Sequence, residues 1–579
     1  MSARQNFARL CYLIAAAWIL AIGFFFYPKW TRPQTEATIS WDVTGYYFYL
    51  PSLFIYHDLK QQAFKDHITQ EYNPTPTGYQ SYRDTASGNL VMKYSSGMSV
   101  AFLPAFTVAH VIAKAGHWKA DGFSTPYQAA ISIQGLLVAL FGLYFLRRLL
   151  QRYFSPVATG IVLLVYAFAS NYLEYAAINN GMTHSYLFTM YAGLLLLTIR
   201  YYESPRRGRA LAIGALCGWM ALMRPTEACS ILLPLFWGIG STRALGERWR
   251  FWRQHAGQLA LAAAAMIAVG SLQLIYWKYV TGHWVVYSYG DEGFHFTHPH
   301  FDDCLWSFRK GWLIYTPVMA LSLLGFAALW KKSRELFWPV LGFSLVFCYI
   351  AFSWSTWWYG GGLGQRALVQ LYPVLGFPMA ALLERLRRPL TRGVVLLFVL
   401  FSTYYNLWLH YQGHYGGLLE PEFMTYPYWK KIFLRYQVSD DRVKLLDAGY
   451  EYPGTPACSE TVYQRNDTLA ALPGPEFLNV TQLGPVAGKS WRRMYLTAFS
   501  PDREWDLWKY HLLYMKEKRG GTVIGTNQVR IERLMPGNGP STMWLDLKLE
   551  DERDSIEIFV HNLGSAKPLY LTNVKIIAF

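Results

Sequence analysis

Charge is scarce in this chain. Only 16% of its 579 residues are Asp, Glu, Lys or Arg, against about 25% in an ordinary soluble domain. That shortage excludes a disordered polymer, a charged coiled coil or a simple cytosolic enzyme as an account of the whole chain. Acid is scarcer still, with 37 Asp+Glu against 53 Lys+Arg. Cysteine is also sparse. Cys11, Cys217, Cys229 and Cys348 lie in apolar runs, where a thiol behaves as a small hydrophobe. Cys304 and Cys458 alone fall in polar segments, and without a CxxC pair neither a zinc fold nor a disulfide framework is indicated. Internal repeats are missing too, which weighs against a transporter built on inverted repeats.

What is abundant is apolar and aromatic: 53% hydrophobic residues, with 23 Trp and 42 Tyr. The runs Leu10–Tyr27, Tyr127–Leu146, Val157–Tyr175 and Leu259–Trp277 each approach the ~20 residues that span a bilayer. The chain therefore reads as a polytopic membrane protein, and its basic excess as a topology signal rather than a nucleic-acid footprint. Arg4 and Arg9 precede the first run, and no small-residue cleavage site follows it, so a retained anchor is expected. Cations crowd alternate short loops: Arg147, Arg148 and Arg152; Arg200 to Arg209; Arg243 to Arg253; Lys331 to Arg334; Arg385 to Arg392. The loops between them, such as 178–183 and 354–365, carry no Lys at all, nor any Arg. The positive-inside bias then places the crowded loops in the cytoplasm. Keeping the alternation requires a break at Arg224-Pro225 and puts Gly97–Ala113 in the interface. About eleven membrane helices result, N-terminus inside and C-terminus outside.

Two large outer segments follow from this topology. The first is 28–126, with interfacial helices. The second is 411–579, where composition shifts to that of a soluble domain. Trp544–Leu549 and Ile556–Val560 alternate with period two, and Leu569–Phe579 follows turn punctuation at Asn562-Leu563-Gly564 and Pro568. The expected form is a C-terminal extracytoplasmic β-sandwich of jelly-roll type, stable alone from about residue 440, with Trp505–Lys518 as a helix. Residues 1–410 form the membrane domain.

The most informative string is Ser40-Trp41-Asp42-Val43-Thr44-Gly45-Tyr46-Tyr47. It places a carboxylate just beyond the first helix, flanked by aromatics. Partial desolvation there would raise its pKa toward that of a useful general base. The plainer role is a helix N-cap.

The early Asp of this loop resembles the GT-C superfamily of integral-membrane glycosyltransferases, which use polyprenyl-phosphate-linked sugars. So do the interfacial helix beginning Lys93-Tyr94-Ser95-Ser96-Gly97, the string Gly218-Trp219-Met220-Ala221-Leu222-Met223-Arg224-Pro225 and the C-terminal outer domain. In layout the chain is similar to protein O-mannosyltransferases and the aminoarabinose transferases of lipid A. It departs from them after Asp42, where Val43 stands in place of a second acid. The resemblance implies that Asp42 takes a proton from an acceptor hydroxyl as that oxygen attacks the sugar's anomeric carbon. The leaving lipid phosphate then needs cations. Arg366, behind the glycines of Gly360-Gly361-Gly362-Leu363-Gly364-Gln365, is the first choice, followed by Lys93, Arg309, Lys310 and Arg224. Any one of these could instead snorkel to headgroups.

Tyr46, Asp58, Glu174, His184 and Trp358 are acceptor-side or sugar-binding candidates. Asp58 is the second-choice carboxylate, and Glu174 and His184 bracket an outer turn. The string His295–Asp303 holds donors suited to a divalent metal, but Pro299 forbids a helical zinc motif, so no metal ligand and no cofactor is firmly assigned, and a divalent metal there stays open as the lesser alternative. The expected partners are a polyprenyl-phosphate-linked sugar, a glycan, lipid or protein acceptor, and the bilayer of a bacterial inner membrane, without nucleic acid. The rivals are a transporter or flippase of lipid-linked saccharide, and a non-catalytic glycan-binding scaffold.

Overall fold

Helix punctuation and apolar period shape the first four hundred residues. Ser155, Ser241 and Ser333 each accept a backbone N–H three residues on, opening the helices Pro156–Ala169, Thr242–Gln254 and Arg334–Phe352. A computed structural model of the chain describes residues 3–75, 80–456, 458–502, 509–537 and 539–579. It divides into two compact units, Met1–His414 and Tyr415–Phe579.

The first unit is helical. Among the described residues seven helices are long and apolar enough to cross a bilayer, including Thr125–Leu150, Ala256–Thr281 and Pro389–Gly416, with Pro156–Ala169 and Pro225–Phe236 as shorter apolar helices. Gly97–Ala115, expected in the interface, belongs to the long set by length and composition. It buries Met98, Phe102, Phe106 and Ala109 and leaves Val108, Val111 and Ile112 exposed. The break at Arg224-Pro225 is present. The helix Arg207–Met223 stops, Arg224 is extended, and a 3-10 turn, Pro225–Ile231, follows.

The cation-rich loops gather at one end of this unit. Arg152 pairs with Glu203, and Glu384 accepts from the Ser155 N–H and from Lys332 Nζ, the latter at 2.8 Å. The other loops meet at the opposite end. Their largest member runs from Pro28 to Ser124 and carries the short helices Asp42–Tyr47, Tyr49–Phe54 and Lys65–Tyr72. It also carries an antiparallel hairpin of β1 (Ser81–Arg83) and β2 (Leu90–Met92).

The second unit is a β-sandwich. Its strands are β3 (Glu460–Arg465), β4 (Leu469–Ala471), β5 (Phe477–Leu483), β6 (Trp491–Phe499), β7 (His511–Arg519), β8 (Thr522–Arg530), β9 (Ser541–Lys548), β10 (Ser555–Asn562) and β11 (Leu569–Ala578). They form two antiparallel sheets, ordered β5-β10-β7-β8 and β3-β11-β6-β9, with β4 paired to β11. Alternate residues, among them Met494, Leu496, Leu545, Leu547, Ile558, Val560 and Ile576, fill one core between the sheets. The helix expected over Trp505–Lys518 is instead strand β7 from His511 onward, where Leu513 and Met515 enter that core on a period of two. The start of that stretch, 505–508, lies outside the described residues.

Candidate functional site

Asp42 opens the helix Asp42–Tyr47, where an acid suits the positive end of the helix. It is not the cap. Trp41 occupies that position, with φ at 48°, and makes no side-chain cap bond. Both Asp42 oxygens are taken by side chains distant in sequence. Tyr94 OH donates to Oδ1 at 2.7 Å, and Arg366 Nη2 donates to Oδ2 at 2.8 Å. The two charged side chains are 21% and 16% exposed, so the pair is mostly but not wholly withdrawn from water. Gly45 lets the assembly close, since a Cβ there would stand 2.5 Å from the Tyr94 ring and 2.6 Å from Gln80 Oε1. Tyr46 packs its ring against that of Tyr94 at 4.7 Å.

This geometry corrects the expected direction of the Asp42 pKa. Burial raises it, but the Arg366 charge, the Tyr94 hydrogen bond and Lys93 together outweigh burial, so the carboxyl lies below its usual range. Burial and then the Asp42 charge push the Tyr94 hydroxyl well upward, so it remains a donor.

Arg366 begins the 3-10 turn Arg366–Leu371, after a glycine loop held from two sides. Lys310 Nζ donates to the Gly362 carbonyl, and Asn171 Nδ2 donates to that of Leu363 at 3.2 Å. Tyr175 OH accepts the Leu363 N–H at 3.2 Å. Gly362 has φ of +134° and would press a Cβ to 3.0 Å of Tyr175 OH. Lys310 is thus committed to shaping the loop. Lys93 pairs with Glu292 at 2.7 Å, and Ser288 Oγ donates to the Lys93 carbonyl at 2.6 Å. The segment 287–292 is thereby tied beside Tyr94, with Tyr289 edge-on to its ring at 6.1 Å. Arg309 stacks over Trp358 at 3.6 Å, and Arg224 faces the Tyr359 ring at 5.5 Å.

The remaining candidates have other surroundings. Asp58 sits in a turn, accepting the N–H groups of Lys60, Gln61 and Ala63. Slight burial raises its pKa, yet those backbone bonds hold it below the usual range, so its carboxylate serves the loop. Glu174 is buried against His410 at 3.4 Å and His414 at 3.1 Å, and accepts from Asn179 Nδ2 at 2.5 Å. Lys29 reaches that Asn179 at 2.7 Å, closing a second polar cluster. His184 is buried, its Nδ1 lying 3.0 Å from Gln370 Oε1. In the string His295–Asp303, His300 pairs with Asp303 at 3.4 Å, and no group of three or more potential metal ligands is assembled among the described residues.

Sequence reasoning passed over Tyr94, Glu292, Glu227 and Gln370. Tyr94 neighbours the chosen Lys93 in the same string. Glu227 follows Arg224 by three residues within an apolar stretch, where an ionisable group is a functional candidate by default. Glu292 and Gln370 carry no comparable signal.

An integral membrane protein is thereby defined, with a helical membrane unit, a C-terminal β-sandwich and a carboxylate–guanidinium pair at one end of the helices. No family model and no curated protein matches the chain. Among solved structures it is similar to the archaeal oligosaccharyltransferase AglB of Archaeoglobus fulgidus, determined with an inhibitory peptide and a dolichol-phosphate. Identity there is 10% and the TM-score 0.44, covering 72% of this chain and 56% of that one. The apo form of the A. fulgidus oligosaccharyltransferase gives 11% identity and 0.39, over 70% and 55%. Arabinosyltransferase EmbB of Mycobacterium smegmatis gives 10% and 0.38, over 98% and 64%. The chain thus spans between half and two thirds of the length of these proteins, and the likeness is one of fold alone.

Proposed function

We propose that the protein is a glycosyltransferase that moves a sugar from a polyprenyl-phosphate donor to an acceptor hydroxyl at the outer face of a bacterial inner membrane. The observation that carries this reading is the Asp42–Arg366 pair, formed by side chains 324 positions apart and still reachable from solvent. A guanidinium suits phosphate oxygens through paired N–H donors. A donor phosphate competes with Asp42 for Arg366, and the carboxylate so released regains basicity as the donor arrives. The acceptor hydroxyl then forms its bond to the anomeric carbon, its proton passes to Asp42, and the bond from that carbon to the phosphate oxygen breaks. Its electrons stay on the phosphate, where Arg366 and Arg224 offset the charge. Tyr94 keeps the base oriented throughout, and Tyr46, Trp358 and His184 border the sugar and acceptor. No cofactor has a part in this scheme.

The test is to incubate the purified protein with polyprenyl-phosphate sugars and an envelope extract as acceptor, and to follow free polyprenyl phosphate by mass spectrometry. Release that depends on acceptor is expected. Movement of intact lipid-linked sugar across vesicles without any release would establish the flippase rival instead.

A further inference from the structure

Glu227 is a carboxyl that this chemistry leaves unused. It is 1% exposed and lies in the 3-10 turn Pro225–Ile231, just after Arg224. Gln370, also 1% exposed, lies in the 3-10 turn that Arg366 opens. The two turns join side chain to side chain. Gln370 Nε2 donates to Glu227 Oε1 at 2.5 Å, while Tyr191 OH donates to Oε2 at 2.5 Å. The other polar atom of Gln370, Oε1, faces His184 Nδ1 at 3.0 Å. Glu227 and Gln370 are therefore satisfied at both ends, as groups so deeply buried require. A small cavity beside them is lined by Arg224, Glu227, Tyr359, Ala367 and Gln370, among others. Tyr46, Tyr359 and His184 lie within electrostatic range of both Arg224 and Arg366, so the two guanidinium groups border one region.

Apolar side chains would fill this space at a lower desolvation penalty. What an acid–amide pair adds is a fixed geometry between two short turns, each of which starts at a cation. We propose that the Glu227–Gln370 contact is a clasp that sets the spacing of Arg224 and Arg366, and with it the affinity of the site for the donor's phosphate. Both are positioning residues, and the clasp has this role only where those two arginines bind phosphate, as the proposed function holds.

The test titrates undecaprenyl phosphate into the full-length protein in detergent, following Trp fluorescence, with thermal unfolding of the ligand-free protein recorded beside it. Gln370→Glu sets two carboxyls against each other and is expected to weaken binding roughly tenfold. Adding Glu227→Gln to the same chain restores a donor and an acceptor in reversed order, and is expected to return affinity to within about threefold of the unaltered protein. Should Gln370→Glu fail to accumulate, Gln370→Met is read in its place, with weakened binding and no recovery on adding Glu227→Gln. A merely structural role would move the unfolding temperature without this rescue of affinity. The clasp is overturned if the reversed pair unfolds like the unaltered protein yet binds as weakly as Gln370→Glu, or if no single variant weakens binding. Failure of the unaltered protein to bind undecaprenyl phosphate at all would overturn the donor reading itself, and the clasp with it.

Discussion

A carboxylate that is both a structural partner and a proposed base confounds simple mutagenesis, because its loss removes two things at once. Asp42→Asn keeps a side-chain oxygen for Tyr94 but leaves the Arg366 guanidinium without its counter-charge, and breaking a buried pair costs about 3–5 kcal/mol. The double variant Asp42→Asn/Arg366→Gln replaces the ion pair by neutral amides. Its unfolding temperature is expected to recover toward that of the unaltered protein while turnover stays at least roughly 10²–10⁴-fold down, because the variant lacks both the general base and the guanidinium proposed for the donor phosphate. Recovery of transfer along with stability would make both Asp42 and Arg366 structural only. The same pair fixes a pH dependence. The Asp42 pKa is lowered in the folded protein by Arg366, Tyr94 and Lys93, so its stabilising contribution is complete above the unfolded value of about 3.9. It is lost as pH falls through the lower folded value. The acid limb of kcat/KM, which reports the free enzyme, therefore belongs below about pH 4. A donor phosphate that draws Arg366 away shifts the acid limb of kcat to higher pH, and coincident limbs would show that the pair survives donor binding.

Secondary-structure elements were the most legible scale. Strands β9 and β10 follow the period-two alternation of Trp544–Leu549 and Ile556–Val560, and β11 falls on Leu569–Phe579, the strand expected after the turn signals at Asn562-Leu563-Gly564 and Pro568. The stretch from His511 misleads, because Leu512, Leu513, Met515, Lys516, Glu517 and Lys518 all rank as strong helix formers, and only the core that Leu513 and Met515 share selects the strand. The joints between elements were less legible. The segment 411–579 is expected to be stable from about residue 440, and the unit Tyr415–Phe579 also contains the helix Tyr426–Ile432. Thr425 Oγ1 donates to the Leu445 carbonyl at 2.5 Å, and Lys431 pairs with Glu451 at 2.7 Å. Lys444 also reaches Glu451, at 2.8 Å. Burial raises the Glu451 pKa, but those two lysines outweigh it and hold it low. Residues 415–579 expressed alone are thus expected to unfold cooperatively, and a piece starting at 440 to unfold at lower temperature. The difference between them should shrink as pH falls below about 4, where Glu451 protonates and the lysine pairing is lost from the longer piece. Equal melting of the two at pH 7 would show that the helix adds nothing.

At the scale of the whole membrane unit, the asymmetry of Lys and Arg and the packing of loops are separate observations that point the same way. Sequence alone sorts the short loops into cation-rich and cation-free sets. The structure joins the first set at one end through Arg152–Glu203, Ser155–Glu384 and Lys332–Glu384, and Arg248 donates to the Trp237 carbonyl at 2.7 Å. It joins the second set to the large segment 28–126 at the other end, where Lys29 meets Asn179, Asp42 meets Arg366 beside the loop 354–365, and Tyr175 meets Leu363. Long-range pairs of this kind are invisible to composition, because nothing in a sequence marks which acid will meet which cation across hundreds of residues. If the positive-inside bias operates on the first set, every residue proposed for chemistry lies on the outer side. In a background without its native cysteines, Gly361→Cys is expected to react with an impermeant thiol reagent on intact spheroplasts, and Arg207→Cys and Arg387→Cys only after permeabilisation. All three positions are exposed, so silence reflects sidedness rather than burial. Gly361 is preferred to Gly360, whose φ of +70° would strain any other residue. Labelling of position 207 in intact spheroplasts would turn the unit over, place the Asp42–Arg366 pair in the cytoplasm and require a donor presented on the inner leaflet.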